Sequence, residues 1–227
     1  MKLGFIYQSL QFVLQTSQFY KIDDSHNLKH SLDVLKQGKL LMDNQLRHYN
    51  TESKSIIYLG CILHDMCDRK YMDVENGLTN IANFLKTTKV NQNVIDSVMK
   101  ILPRMSYSKT VENNQFQLPK DMYDFPYLEE YHIIRHADLL TSYKLFRTIE
   151  MRYQECIRSN KTVDMDRIVE EADTIINKRI FALMDGNIFV EKEAKKLAKK
   201  YHHVAMRRYK NWKLQNTTNY KEIKAIL

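Results

Sequence analysis

The chain has 227 residues, 44% of them apolar, and a formal net charge of +8. This length fits one globular domain with a sizeable core. Five glycines and three prolines are too few for a turn-rich all-β fold and point to long helices.

No apolar run approaches the roughly 20 residues that span a bilayer. The N-terminus lacks a signal-peptide core and a small-residue cleavage site. Cys61, Cys67 and Cys156 form no C-x-x-C pair; the first two, in or beside the His64-Asp65 helix, read as small core residues, and the expected compartment is reducing and cytoplasmic. The positive charge is uneven: residues 187–214 hold nine Lys/Arg and two Glu, a local excess of +7.

The first helix is expected to turn Phe5, Leu10, Val13 and Leu14 inward. A polar loop from Tyr20 to His26 follows, with Asp24 or Ser25 as an N-cap. The next helix spans about Asn27 to His48, with Leu28, Leu32, Leu35, Leu40, Met42 and Leu46 as its apolar stripe. His26 and His30 are four apart and share a face if both are helical. After a break at residues 50–53, with Ser53 as cap, an apolar run from Ile56 to Leu63 ends abruptly in His64-Asp65. An imidazole and a carboxylate at the end of a buried helix need a partner. A hydrogen-bonded pair closing a core helix is one solution, and a divalent metal is another.

Helices are expected over Asp73–Lys86 and Asn91–Leu102, the second closed by Pro103. Residues 110–127 hold two prolines and little periodicity, as in a long irregular loop. Leu128 to about Ser159 reads as one long helix, with Asp138 inside an apolar stretch and also in need of a partner. Val163–Met184 is the next helix, stopped by Asp185-Gly186-Asn187. The last runs from Ile188 to about Leu214, with Val190, Ala194, Leu197, Tyr201, Val204 and Trp212 as its docking seam. No strand pattern of any length is visible. The expectation is an all-α multi-helix bundle, a single domain with a long basic C-terminal helix.

His30, the His64-Asp65 pair and Asp138 thus occur in the order H…HD…D, each on or beside an apolar helix. In SHNLKHSLDVL (residues 25–35), LGCILHDMCDRKY (residues 59–71) and IIRHADLLTSY (residues 133–143) the chain resembles the HD-domain superfamily of metal-dependent phosphohydrolases. The resemblance covers about residues 20–150, and the Ser106-Tyr107-Ser108-Lys109 stretch also looks like a segment of small HD hydrolases.

The resemblance implies that His30, His64, Asp65 and Asp138 ligate one divalent metal ion, with Mn, Co, Ni, Fe or Zn better suited than Mg. Only His132 and His136 lie between the HD pair and Asp138, which favours a mononuclear site. Asp68 and Asp73 fall at offsets that imply acid/base work, and Lys70, Lys109 and Arg135, with Arg69, would neutralise phosphate. His26 would orient a ligand or contact substrate. The implied activity is hydrolysis of a phosphate ester or anhydride, most naturally of a nucleotide. Two other readings are a nucleotide-binding protein without turnover and a nucleic-acid-binding protein that uses the basic last helix.

Overall fold

The structure is a computed structural model that describes the backbone of residues 4–226 and side chains up to Leu214. It is an all-α multi-helix bundle. The helices are α1 (Gly4–Phe19), α2 (Leu28–Asn44), α3 (Thr51–Leu63), α4 (Val74–Thr87), α5 (Gln92–Ile101), the single turn α6 (Tyr107–Thr110), α7 (Leu128–Thr141), α8 (Phe146–Arg158), α9 (Met165–Ile175) and α10 (Lys192–Ile226). Among the described residues no helix is long and apolar enough to cross a membrane.

Asn and Asp side chains start several of these helices. Asn27, Asn50, Asp73, Asn91 and Asp164 each accept a backbone N–H of the first turn, satisfying donors that the helix itself leaves open. Asn27, and neither Asp24 nor Ser25, therefore caps α2. In α3 the cap is Asn50, and Ser53 is the residue whose N–H it receives, at 2.8 Å.

The centre of the bundle is α2 against α7, with α3 packed on both. Two glycines set how closely these three approach. A Cβ on Gly38 of α2 would stand 2.6 Å from Cys61 Sγ of α3, and one on Gly60 of α3 would stand 2.3 Å from Ile134 Cδ1 of α7. Neither position has room for a side chain as packed. The face of α2 turned inward carries His30, Ser31, Val34, Gly38, Leu41 and Met42. Leu32 points outward and Leu46 lies beyond the helix, fully exposed. The apolar stripe expected from the leucines is thus a flank, where Leu28 and Leu35 pack at the core's edge.

The expected helix from Leu128 to Ser159 is two helices. Thr141 Oγ1 donates to the Asp138 carbonyl at 2.7 Å, and the following N–H groups turn back three residues, Lys144 to Thr141 O at 3.0 Å. Hydroxyl competition for the backbone ends α7 there. Residues 110–127 contain a hairpin: Val111–Glu112 pairs antiparallel with Gln115–Phe116 across Asn113-Asn114, both at positive φ. The Val163–Met184 segment is regular only in α9 and then loosens into a wide turn over Ile176–Ile180 and a tight one over Phe181–Met184. The last helix starts at Lys192, because Ile188 and Phe189 are buried ahead of it. Its buried face is Ala194, Ala198, Ala205 and Tyr209, while Val190 is partly exposed.

Candidate metal centre and cavity

Three elements deliver four polar side chains to one point. His30 comes from the inward face of α2. His64 ends α3, and Asp65 lies in the turn just after it. Asp138 lies near the end of α7, one turn after Ile134. Gly60 and Ile134, which fix the spacing of α3 and α7, therefore stand one turn before His64 and Asp138.

The donor atoms face one another. His30 Nε2 lies 3.1 Å from His64 Nε2, 3.2 Å from Asp65 Oδ2 and 3.3 Å from Asp138 Oδ1. His64 Nε2 lies 3.1 Å from Asp65 Oδ2 and 3.7 Å from Asp138 Oδ1. His64 Nδ1 sits 3.0 Å from the Cys61 carbonyl, which can only accept. That keeps a proton on Nδ1 and points Nε2 at the centre. Asp65 Oδ2, although close to both imidazoles, is buried without a hydrogen bond.

These observations test whether an ion fits. Ligand bonds of about 2.1 Å give neighbouring donors roughly 3.0–3.4 Å apart in octahedral or tetrahedral geometry. Four of the five separations fall in that range, and His64 Nε2 to Asp138 Oδ1, at 3.7 Å, is longer; a buried carboxylate between two imidazoles is a donor set that suits a cation. His30, His64 and Asp65 form a group that could hold a metal ion, and Asp138 Oδ1 stands beside it, 3.3 Å from His30 Nε2.

Electrostatics follow from the crowding. Burial would lower the His64 imidazole, but Asp65 and then Asp138 outweigh it and hold it at about 9. Burial would raise the Asp65 carboxyl, yet the imidazoles of His64, His26 and His30 hold it well below the ordinary carboxylate range. Burial likewise opposes the shift at Asp138, which His30 and His64 hold at about 2.

The centre opens into a cavity of about 400 Å³. Beside it His26, Asp65 and Asp68 form a second group whose donor atoms lie within 4.8 Å of one another. His26 is steadied through Nδ1 by Ser25 Oγ at 2.5 Å and Tyr71 OH at 3.1 Å, both hydrogen-bonded to Asp23. Burial opposes ionisation of Asp23, but His26, Ser25 and Tyr71 keep its carboxyl far below the usual range. Asp68 Oδ1 accepts the Lys70 N–H at 2.8 Å.

Arg69, Lys70, Lys109, Arg147 and Arg179 bring positive charge to the walls, and Leu102, Met105, Met151, Ile175 and Ile180 form an apolar side. Lys109 Nζ donates to the Pro103 carbonyl at 3.1 Å. Arg179 lies over the Tyr107 ring, 4.3 Å from its centroid. Arg147 donates to His30 Nδ1 and, at 3.3 Å, to Thr141 Oγ1. A guanidinium only donates, so this contact selects the His30 tautomer with its proton on Nε2, facing the carboxylates.

Of the residues singled out in the sequence, His26, His30, His64, Asp65, Asp68, Lys70, Lys109 and Asp138 line this cavity. Asp73 does not: its carboxylate caps α4 through the Asn76 N–H at 2.9 Å. Arg135 does not either. Its side chain is buried, Nη1 donates to the Ile188 carbonyl at 2.8 Å, and the guanidinium stacks 3.9 Å from the centre of the Phe116 ring. Arg135 and Asp138 are three apart on α7, but the helix turns the arginine toward the hairpin and the aspartate toward the cavity.

Arg147 and Arg179 escape a reading by motif, since neither belongs to one. The Thr141-Ser142 pair was the available signal for Arg147, because a helix break there folds α8 back over the centre. Comparison of the chain with family models, curated proteins and solved structures returns no match, so the chemistry of the site rests on its own geometry.

Proposed function

We propose that the chain is a metal-dependent phosphohydrolase of the HD type, cleaving a phosphate ester or anhydride of a nucleotide. The observation that carries this reading is the meeting of His30, His64, Asp65 and Asp138 at a cavity walled by Lys70, Lys109, Arg147 and Arg179. The mixed nitrogen and oxygen donor set favours Mn, Co, Ni, Fe or Zn over Mg. When bound, such an ion supplies Lewis acidity toward a phosphoryl oxygen and lowers the pKa of water.

The remaining roles fall to the chain's own side chains. Asp68 keeps one carboxylate oxygen on the Lys70 N–H and has the other available to accept the proton of the attacking water. His26, braced by Ser25 and Tyr71, orients Asp65 and Asp68. Lys70 and Lys109 neutralise phosphate oxygens. For His30 to ligate through Nε2 its proton has to move to Nδ1. Arg147 then turns away from that nitrogen and into the cavity, where it faces the bound anion. The apolar side of the cavity takes the organic part of the substrate, and about 400 Å³ lies within the range of small-molecule sites. The three free cysteines support placing the protein in a reducing cytoplasm.

The test is a screen of nucleoside mono-, di- and triphosphates and simple phosphate esters against chelator-stripped protein reloaded with each divalent metal in turn. Phosphate or pyrophosphate release should require metal and vanish in His64→Ala/Asp65→Ala. Nucleotide binding without release would replace the enzyme with a binding protein. A protein that takes up no metal would end the reading.

A further inference from the structure

Helix α10 carries most of the chain's excess charge on one face. Taken at 100° per residue, Lys192, Lys195, Lys196, Lys199, Lys200, Arg207 and Lys210 fall within an arc of about 140°. All seven are exposed. The buried face, Ala194, Ala198, Ala205 and Tyr209, is on the opposite side. The stripe runs about 27 Å along the axis at 1.5 Å per residue. The acids of this region sit at its start: Glu191 accepts from Gln45 at 3.0 Å, and Glu193 lies 3.9 Å from Lys196. Among the described residues no ion pair engages the stripe between Lys196 and Lys213, which pairs with Asp173 at 2.7 Å.

Lysines at positions i, i+3 and i+4, as in Lys192-Lys195-Lys196-Lys199-Lys200, repel one another and destabilise the helix that holds them. Such a row is relieved by an anion that presents charge at a similar repeat over a similar length. Duplex nucleic acid does so, with about one charge per 1.7 Å of axis.

The aromatic residues of α10 decide between single and double strands. A single-stranded partner is held by stacking bases on exposed rings. Here Tyr209 is buried, Tyr201 OH donates to Gln37 Oε1 at 3.1 Å, and Trp212 packs on Phe146 and Tyr209. Among the described residues no Tyr or Trp ring of α10 is presented on the cationic face; the ring that does stand there is the His203 imidazole, whose Nδ1 is held 3.0 Å from the Lys199 carbonyl. A lipid surface is disfavoured for a related reason: an interfacial helix sinks its apolar face into the bilayer, and that face of α10 is already packed on the body.

We propose that the lysine face of α10 is a docking surface for double-stranded nucleic acid, gripping phosphates without reading sequence. No α10 residue lines the cavity, so the surface is independent of the catalytic reading. The partner's bases are not contacted, and affinity comes from counterion release.

The experiment is fluorescence anisotropy of a labelled duplex of about 24 base pairs with the full chain at increasing salt. Seven phosphate contacts give a log–log salt slope of about −6, so affinity should fall about 10³-fold or more between 50 and 200 mM salt. In Lys195→Gln/Lys196→Gln/Lys199→Gln/Lys200→Gln the slope should shrink to about −3. Helical content, metal content and turnover should stay at parental values. The same four lysines changed to Arg should keep both affinity and slope, which guards against a folding artefact. The proposal is overturned by no duplex binding at 50 mM salt, by a slope that survives the Gln changes, by tighter binding of a single strand of equal length, or by tighter binding of phosphatidylserine vesicles.

Discussion

Helix α7 serves two polar clusters that behave in opposite ways. Toward its start, His132, Arg135 and His136 are sealed in, between the β-hairpin and the Ile188–Val190 segment. Toward its end, Asp138 meets His30, His64 and Asp65 at the open cavity. In the closed cluster some polar atoms are tied to the backbone and to rings, Arg135 to the Ile188 carbonyl and Phe116, His136 Nε2 to the Val190 N–H at 3.3 Å, while His132 Nδ1, Arg135 Nη2 and His136 Nδ1 are buried without a hydrogen-bond partner. In the open cluster the imidazole Nε2 atoms and the carboxylates point at one another. Both clusters are rich in histidine and charge. What separates the two is access: the first is closed off by the hairpin and the Ile188–Val190 segment, and the donor atoms of the second converge at the mouth of a cavity.

The sharpest break of that comparison is to remove ligands from one cluster and a histidine from the other. His64→Ala/Asp65→Ala should lose bound metal and activity together while keeping helical content, read by metal analysis and circular dichroism. His136→Ala should lose stability and keep its metal. Stoichiometry adds a second reading: one ion per chain fits the four-residue centre alone, and two would mean that the His26, Asp65 and Asp68 group loads as well.

Next in size is Asp68→Asn, which cannot take a proton. It should keep metal and lower kcat by roughly 10²–10⁴-fold. A turnover number within about twofold of the parent would sink the role given to Asp68.

On the closed side Arg135→Ala should cost about 3–4 kcal/mol, because it empties a buried volume and strands the Ile188 carbonyl. Metal content should not change, and a denaturant titration gives the loss directly.

The pH dependence of the metal-free protein should differ in sign between the clusters. Burial, then Arg135, lowers His132 from 6.5 to about 4, and burial lowers His136 further below its ordinary value. These imidazoles are neutral in the fold and take protons on unfolding. Their stability is present above pH 6.5 and drains away as pH falls toward 4, worth about 3 kcal/mol for His132. His64 is raised to about 9, so its contribution is whole below pH 6.5 and is lost as pH rises through 9. Denaturant midpoints in chelator from pH 4.5 to 9.5 should therefore decline at both ends, and His64→Ala should flatten only the alkaline side.

The smallest effect is at Asp73. Asp73→Ala should cost about 1 kcal/mol, the price of a helix cap, and leave turnover at the parental value.

The four-residue centre was legible because each member stands where an apolar pattern breaks: His64-Asp65 after an eight-residue apolar run, Asp138 between Ala137 and Leu139. Asp73 and Arg135 misled for a common reason. Offset in sequence fixes neither which way a helix faces nor whether a carboxylate is already spent on a cap. The leucines of α2 misled likewise, since the line Leu28–Leu32–Leu35 is more apolar than the His30–Val34–Leu41 line that turns inward. Burial of α2 is decided by close contact at Gly38, which hydrophobicity alone does not register. Arg147 depends on how α8 folds back, for which the Thr141-Ser142 break is the local cue, and Arg179 on the segment after α9, for which no local pattern exists.

Gly60 makes no contact with the centre, yet it acts as the calliper that sets its jaw. Its bare backbone lets Ile134 press against α3, and one turn further along both helices the imidazole of His64 and the carboxylate of Asp138 come to 3.7 Å. A single methyl group at residue 60 has to displace the buried Ile134 side chain or part the two helices. The opening would travel along two stiff rods to a place more than one turn away. Gly60→Ala should thus lower the affinity of the proposed site for added divalent metal, read by metal titration, and a residue with no side chain becomes part of what sets the spacing of His64 and Asp138.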